Sequence, residues 1–411
     1  LKKIPGLNAK KVIDNIHHNC YDSTFVYPLV VADGHDCVVV DIDGNEFLDF
    51  TSNIGSSPLG YGHPDIMKVR AKYAKIGNYK IAGQDFYCEE HAEISKKLLS
   101  IISGNYKIFF CNSGTEAVEN SIKLAYKKMG PLPAISCMNA FHGRTLGALS
   151  FTSSKPEQKQ NFPQFPTFRI KFCTGKDTQD VETTEALLKE NKIAFIITET
   201  IQGEGGYNIA NKEFIKNLRR LATKYSVPLI LDEVQSGLGR TGKWWAFEHY
   251  DVKPDIMSMS KSLQVGAAVY EKRYEPKQRG VLSSTWGGGD RIAMATGAKI
   301  IEVIRRDKLL DNVSKRGKEL KKGLDEMTGK HGIIDVRGLG LMIGIEFENK
   351  TLRDKLVQEM FKKHLLILGA GKKSIRLIPS LIITKEQVQQ GLGIMYDVFS
   401  KIQSGNSSTD K

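Results

Sequence analysis

Three side chains suited to chemistry fall at or just past the ends of predicted strands. Glu199 closes the run 194–199, Asp232 closes 228–232, and Lys261 follows the short run 255–259. In open parallel sheets, ligands sit beyond the carboxyl ends of the strands. Asp232 and Lys261 are separated by enough chain for one crossover, so both can reach one sheet edge. A carboxylate and a lysine there suggest a site that holds a cofactor. Position alone leaves plainer readings open. A strand-end Asp often makes a turn or caps a helix, and a lysine after a strand often faces solvent. Nucleotide readings fit less well. Gly203-Glu204-Gly205-Gly206 lacks the G-x-G-x-x-G spacing, and Gly175-Lys176 is followed by Asp177 rather than Ser or Thr.

The elements that must position these groups follow from the hydrophobic pattern. Strand and helix alternate from about residue 105 to 261, which implies a largely parallel sheet. Lys107-Ile108-Phe109-Phe110-Cys111 reads as a strand, and Asn112-Ser113-Gly114 as a turn. A helix then covers 115–128, with Val118, Ile122 and Ala125 on one face. A second helix covers 214–225. From about residue 290, amphipathic helices alternate with short strands such as 341–347. The polar tail 404–409 is expected to be disordered.

The 411 residues allow two lobes rather than one simple core. At 41% hydrophobic and 26% charged, the composition is that of a soluble globular protein. The longest apolar runs are strand-sized, far short of the ~20 residues that cross a membrane. Leu1-Lys2-Lys3-Ile4-Pro5 lacks the apolar core of a secretory signal. The six cysteines (Cys20, Cys37, Cys88, Cys111, Cys137 and Cys173) include no C-x-x-C pair. Reduced thiols, a cytoplasmic setting and no metal site are therefore expected. His17-His18 are adjacent and point different ways on regular structure, which suits a metal poorly. The net charge of +13 is spread along helix-like segments and interleaved with acids. That is the pattern of a solvated surface rather than of a nucleic-acid interface.

Local motifs narrow the chemistry. Leu231-Asp232-Glu233-Val234-Gln235-Ser236-Gly237-Leu238-Gly239-Arg240-Thr241-Gly242 is followed by Trp245-Ala246, Pro254-Asp255-Ile256 and Ser260-Lys261. This order resembles the signature of the class-III aminotransferases, pyridoxal-phosphate enzymes of the ornithine and 4-aminobutyrate type. Ser113-Gly114-Thr115-Glu116-Ala117, Phe141-His142-Gly143-Arg144-Thr145, Glu199 to Gly206, Ser284-Thr285-Trp286-Gly287-Gly288 and Ile375-Arg376-Leu377-Ile378-Pro379 agree in the same order. The resemblance covers about residues 40–395. It implies an α/β, type-I pyridoxal-phosphate fold with a mainly parallel sheet in a large domain and a smaller α+β domain. Residues 1–60 and 290–411 are expected in the small domain and 61–289 in the large cofactor-binding one. A homodimer, or a higher assembly, is implied as well.

The resemblance also implies roles. Lys261 carries pyridoxal 5′-phosphate as a Schiff base, then moves the proton of the substrate carbon once freed. Asp232 pairs with the protonated ring nitrogen. Val234 and Phe141 flank the ring, Gln235 bonds its phenolic oxygen, and His142 and Glu199 complete the cofactor site. Ser113, Gly114 and Thr115 bind the phosphate at a helix start, where free N–H groups and the helix dipole favour an anion. An ordinary N-cap is the plain alternative there. Thr285 reaches the phosphate of the partner subunit. Arg144 and Arg376 resemble carboxylate clamps suited to 2-oxoglutarate. Glu204 pairs with Arg376 and releases it when the keto acid arrives. Ile54 lies in a substrate-side loop, Ser52 to Pro64.

Finer likeness favours 4-aminobutyrate as donor, giving succinate semialdehyde and glutamate. Lysine, ornithine and acetylornithine enzymes of the family share these stretches, and a racemase of the same fold is a further alternative. Two departures stand out. Cys111 is the one cysteine near the phosphate turn, so no iron–sulfur cluster is expected. The segment after Lys261 lacks the family's glycine-rich run.

Overall fold

The computed structural model describes residues 4–21, 24–175 and 179–406. Lys176 and Asp177, weighed above against a phosphate loop, lie outside the described residues, as do residues 1–3 of the N-terminal sequence.

The apolar runs become a seven-stranded sheet. Its strands lie in the order Tyr106–Cys111, Gly266–Glu271, Ile256–Met259, Leu229–Asp232, Ile196–Thr198, Ala134–Cys137 and Thr167–Ile170. Every neighbouring pair is parallel except the two made by Gly266–Glu271. Leu229–Asp232, Ile256–Met259 and Ala134–Cys137 are buried at every position. Helices therefore cover both faces, as parallel sheets require. The helices Gly114–Met129 and Lys212–Lys224 each bury an apolar stripe against the sheet.

The strand Gly266–Glu271 was not expected from the sequence. It turns back immediately after Lys261 and inserts antiparallel between two strands of like direction. Its first four residues, Gly266-Ala267-Ala268-Val269, are small and buried, and an added Cβ at Gly266 would lie 2.4 Å from the carbonyl oxygen of Ser113. Close backbone approach takes the place of the missing glycine-rich run.

Two four-stranded sheets lie outside this layer, as does a two-stranded pair of Ile201–Gln202 with Asn208–Ile209. Val31–His35, Val38–Asp41 and Glu46–Asp49 form one, and Leu365–Leu366 joins it in parallel beside Glu46–Asp49. The other has the order Ile333–Leu339, Met342–Phe347, Ser374–Leu377, Leu368–Ala370 and is antiparallel. One hydrophobic core unites Leu48 and Phe50 of the first with Ile343, Ile345 and Ile375 of the second. It also takes in residues of the helices Arg291–Arg306, Leu309–Asp325 and Lys350–Lys362. The last helix, Lys385–Asn406, includes Ser404, Gly405 and Asn406. Those three residues therefore correct the expectation of a disordered tail. The helix carries Val388, Met395, Val398 and Phe399 into the same core, and this packing outweighs the low helix propensity at its end. Residues 407–409 of that tail lie outside the described residues. Among the described residues no helix is long and apolar enough to cross a membrane, and no group of three or more His, Cys, Asp or Glu could hold a metal.

Candidate active site

Sheet geometry gathers the three strand-end groups. The parallel register sets Asp232 opposite Ser258. Ser258 Oγ then donates to Asp232 Oδ1 at 2.9 Å, and the Val234 N–H donates to the same oxygen at 3.1 Å. His142 Nδ1 lies 2.8 Å from Asp232 Oδ2. Both residues are buried, and the contact fixes the imidazole against the carboxylate. Glu199, at the next strand end, accepts from the N–H groups of Phe141 at 3.1 Å and Gly203 at 2.8 Å. Burial pushes its pKa up to about 7 despite nearby His142.

Lys261 sits two residues past Met259, with φ of +21° and with Gln264 left-handed at +67°. Side chains rarely adopt such angles, and here they cluster at a bend beside buried charges. The bend is held by the Leu263 N–H donating to Ser260 and by Ser262 Oγ donating to the Gly55 carbonyl. Burial, then the positive charge of Arg376, pushes the Lys261 pKa down to about 8. Asp232, Glu204 and Glu199 pull the other way.

Opposite lies an ion pair. Arg376 Nη1 is 3.0 Å from Glu204 Oε2. Arg376 is buried in the strand Ser374–Leu377, whose register places it across from Gly344. The backbone of Glu204 is pinned, since its carbonyl accepts from the Gly371 N–H at 2.7 Å. Gly371 has φ of +54°, and a Cβ there would meet the Gly205 oxygen at 2.6 Å. Lys155, which no sequence pattern singles out, takes the other Glu204 oxygen at 2.7 Å. Burial raises the Glu204 pKa, but Arg376 and Lys155 outweigh it and hold the carboxyl below its ordinary value.

Lys261, Asp232, His142, Glu199, Glu204 and Arg376 line one cavity of about 500 Å³. Of the residues expected from sequence, it brings together Ile54, Gly114, Thr115, Phe141, His142, Arg144, Glu199, Glu204, Asp232, Val234, Gln235, Lys261 and Arg376. Ser113 and Thr285 are outside the lining. Ser113 caps the helix Gly114–Met129, its Oγ accepting from the Glu116 N–H at 3.2 Å. The plain N-cap reading thus holds for its side chain, while the helix start it caps faces the cavity through Gly114 and Thr115. Thr285 is exposed, and its carbonyl accepts from the Gly83 N–H at 2.7 Å. Ile54 stands in a turn of four consecutive left-handed residues, Ser52 to Gly55, with φ from +41° to +83°. Only Gly55 hinted at this in the sequence.

The residues present fit pyridoxal phosphate. The amine of Lys261 suits an aldehyde, and Asp232 suits a cationic ring nitrogen. The helix start suits a phosphate. Gln235 Oε1 and His142 Nε2 are buried without hydrogen-bond partners, which leaves polar atoms to meet a ligand. An added Cβ at Gly114 would lie 2.7 Å from Val234 Cγ1, so the helix start and Val234 can approach this closely only with glycine there.

Comparison with known proteins agrees. The profile of the family "Aminotransferase class-III" matches residues 21–399. The acetylornithine aminotransferase of Caldanaerobacter subterraneus subsp. tengcongensis is 34% identical over 388 residues, spanning 92% of this chain and 96% of that protein. The acetylornithine aminotransferase of Methanosarcina acetivorans is 36% identical over 371 residues, 90% and 91% of the two chains. Among solved structures, a lysine aminotransferase from M. tuberculosis superposes with a TM-score of 0.89 at 26% identity, covering 96% and 99%. An ornithine aminotransferase from Toxoplasma gondii, with pyridoxal phosphate in its active site, gives 0.88 at 26% identity, covering 99% and 97%. The fold is the type-I pyridoxal-phosphate fold, the cofactor is pyridoxal phosphate, and the reaction passes an amino group from a small-molecule donor to a keto acid. The chain belongs to the class-III pyridoxal-phosphate-dependent aminotransferases.

Proposed function

We propose that the protein moves the terminal amino group of an ω-amino acid to 2-oxoglutarate, with Lys261 holding the cofactor and Glu204 gating the two substrates. The observation that carries this reading is the Glu204–Arg376 pair on the wall of the Lys261 cavity. An ω-donor brings its amine to the site with no carboxylate beside it. A bare guanidinium there would be uncompensated and would attract the wrong end of the donor. Glu204 neutralises it. A keto acid does carry a carboxylate beside its reacting carbon, and that group takes the fork of Arg376 as Glu204 swings away. Arg144, exposed at the mouth with its guanidinium 5.5 Å from the Phe141 ring centre, takes the far carboxylate.

When bound, pyridoxal phosphate supplies the electron sink for the pair left as the substrate carbon loses its proton. The chain's own groups do the rest. Lys261 Nζ accepts that proton and returns it. Asp232, oriented by His142 and Ser258, favours positive charge at the ring nitrogen. Val234 and Phe141 enclose the ring, Gln235 meets its oxygen, and the N–H groups after Ser113 take the phosphate. Glu199 fixes the Phe141 and Gly203 backbones on either side. The exposed Thr285 suits a homodimer in which each subunit completes the other's phosphate site.

Lys261 gives this reading a pH signature. At pH 7.5, a pKa near 8 leaves about a quarter of the amine neutral, against about a thousandth for an ordinary lysine. The rate at which cofactor-free protein recombines with pyridoxal phosphate is expected to rise with pH and level near 8. A profile still climbing towards 10 would overturn the assignment.

The donor is best placed among ornithine-type chains. The relatives named above are acetylornithine, lysine and ornithine enzymes, which favours these over the 4-aminobutyrate expected from the substrate-side loop. In a panel with 2-oxoglutarate, acetylornithine is expected to exceed 4-aminobutyrate in kcat/KM by about tenfold or more, since each methylene shifts discrimination by ~1–3 kcal/mol. Racemisation of one amino acid without glutamate formation would sink the transfer reading.

A further inference from the structure

Glu204 is held by two cations, and the second has no role in the reading above. Arg376 takes Oε2 at 3.0 Å and Lys155 takes Oε1 at 2.7 Å, so each carboxylate oxygen has its own partner. The two cations differ in setting. The Arg376 side chain is 8% exposed, that of Glu204 13%, and that of Lys155 41%. Lys155 follows the helix Leu146–Phe151 and lies outside the cavity lining. A third charge, Arg144, also faces Glu204.

Opening the gate takes Arg376 away from Glu204. A largely buried carboxylate stripped of its only partner is strongly disfavoured. Lys155 removes that obstacle. Its stem is long and flexible and its ammonium offers three donors, so it can follow the carboxylate as it turns. The motion also runs from the most buried of the three groups towards the most exposed, where residual charge is solvated. The pinned Glu204 backbone confines the motion to the side chain.

We propose that Lys155 is the anchor of the open gate: it holds Glu204 after Arg376 has passed to the keto acid's carboxylate, and so sets how readily the site accepts dicarboxylates. Lys155 is a specificity-determining residue that acts through Glu204 and touches neither substrate. The inference rests on reading Glu204–Arg376 as the gate, and its test separates the two ideas.

The test measures the half-reactions separately on the cofactor-loaded enzyme, and in parallel the dissociation constant of glutarate, an unreactive dicarboxylate, by calorimetry. Lys155→Met is expected to weaken 2-oxoglutarate, glutamate and glutarate by about fivefold, the scale of a partly exposed ion pair. The amino-donor half-reaction is expected to stay within about twofold, because the closed gate keeps its Arg376 contact. Lys155→Arg should restore glutarate binding. In a Glu204→Ala background, Lys155→Met should have no further effect. Equal losses in both half-reactions, no loss in either, or an undiminished effect in the Glu204→Ala background would overturn the anchor alone, provided that Glu204→Ala by itself shifts preference towards glutamate. If Glu204→Ala leaves that preference untouched, the gate reading fails and the anchor falls with it.

Discussion

Replacing Lys261 with alanine is expected to lower turnover by at least about 10⁴-fold, because in the proposed reading one side chain serves both as the cofactor's attachment and as the proton carrier, and a positioned general base alone contributes about 10²–10⁴. The environment of this lysine suits both proposed tasks. Burial and Arg376 push its pKa down to about 8, so the neutral amine is within reach near neutrality. The carboxylates Asp232, Glu204 and Glu199 keep the shift from going further. Its backbone angle, +21°, belongs to a strained bend, and strain of this kind persists only where the surroundings hold it. Alanine tolerates that angle about as well as lysine, so the substitution should leave the fold intact. The measurements are steady-state turnover, the visible absorbance of the lysine-bound cofactor, and thermal unfolding. Loss of the first two with unfolding unchanged is the expected result. A variant that keeps both activity and absorbance would remove Lys261 from the site.

The features that were legible in the sequence are those set by local pattern. The strand Leu229–Asp232 is a short apolar run ended by an acid, and its neighbour Ile256–Met259 is a second short run followed by Ser260-Lys261, so their ends and the residues just past them could be placed at one edge. The helix Gly114–Met129 was legible through its cap and its apolar stripe. What escaped depends on contacts between distant residues. The strand Gly266–Glu271 has little side-chain signature; its place is fixed by pairing on both sides and by backbone approach to Ser113. The left-handed turn at Ile54 carries one glycine and is held from afar, with Gln264 Nε2 donating to the Ser56 carbonyl at 2.6 Å. Lys155 sits in a polar stretch like many others, and only the fold brings it to Glu204. Asp232 and Lys261 were the more legible because they end or follow strands directly.

Asp232→Ala is expected to lower kcat by about 10²–10⁴, the rate equivalent of the ~3–5 kcal/mol lost when one partner of a buried ion pair is removed. Asp232 is held in place through both of its side-chain oxygens. Its side chain is 6% exposed, and three donors are arranged around it. Ser258 Oγ and the Val234 N–H converge on Oδ1, and His142 Nδ1 approaches Oδ2. In the proposed role its negative charge holds a proton at the ring nitrogen, which is what makes the ring an effective acceptor of electrons. Alanine removes the charge and also strands Ser258 and His142 in a dry setting, so stability falls too. Asp232→Asn separates the two effects. Its amide oxygen can still accept from Ser258 and Val234, so thermal unfolding should stay close to that of the parent protein. Its neutrality should still cost about 10²-fold or more in kcat, because the charge and not the shape carries the effect. An asparagine variant that turns over like the parent would mean that the carboxylate serves the fold alone. A variant slow in chemistry but normal in stability and cofactor content would place its charge in the reaction.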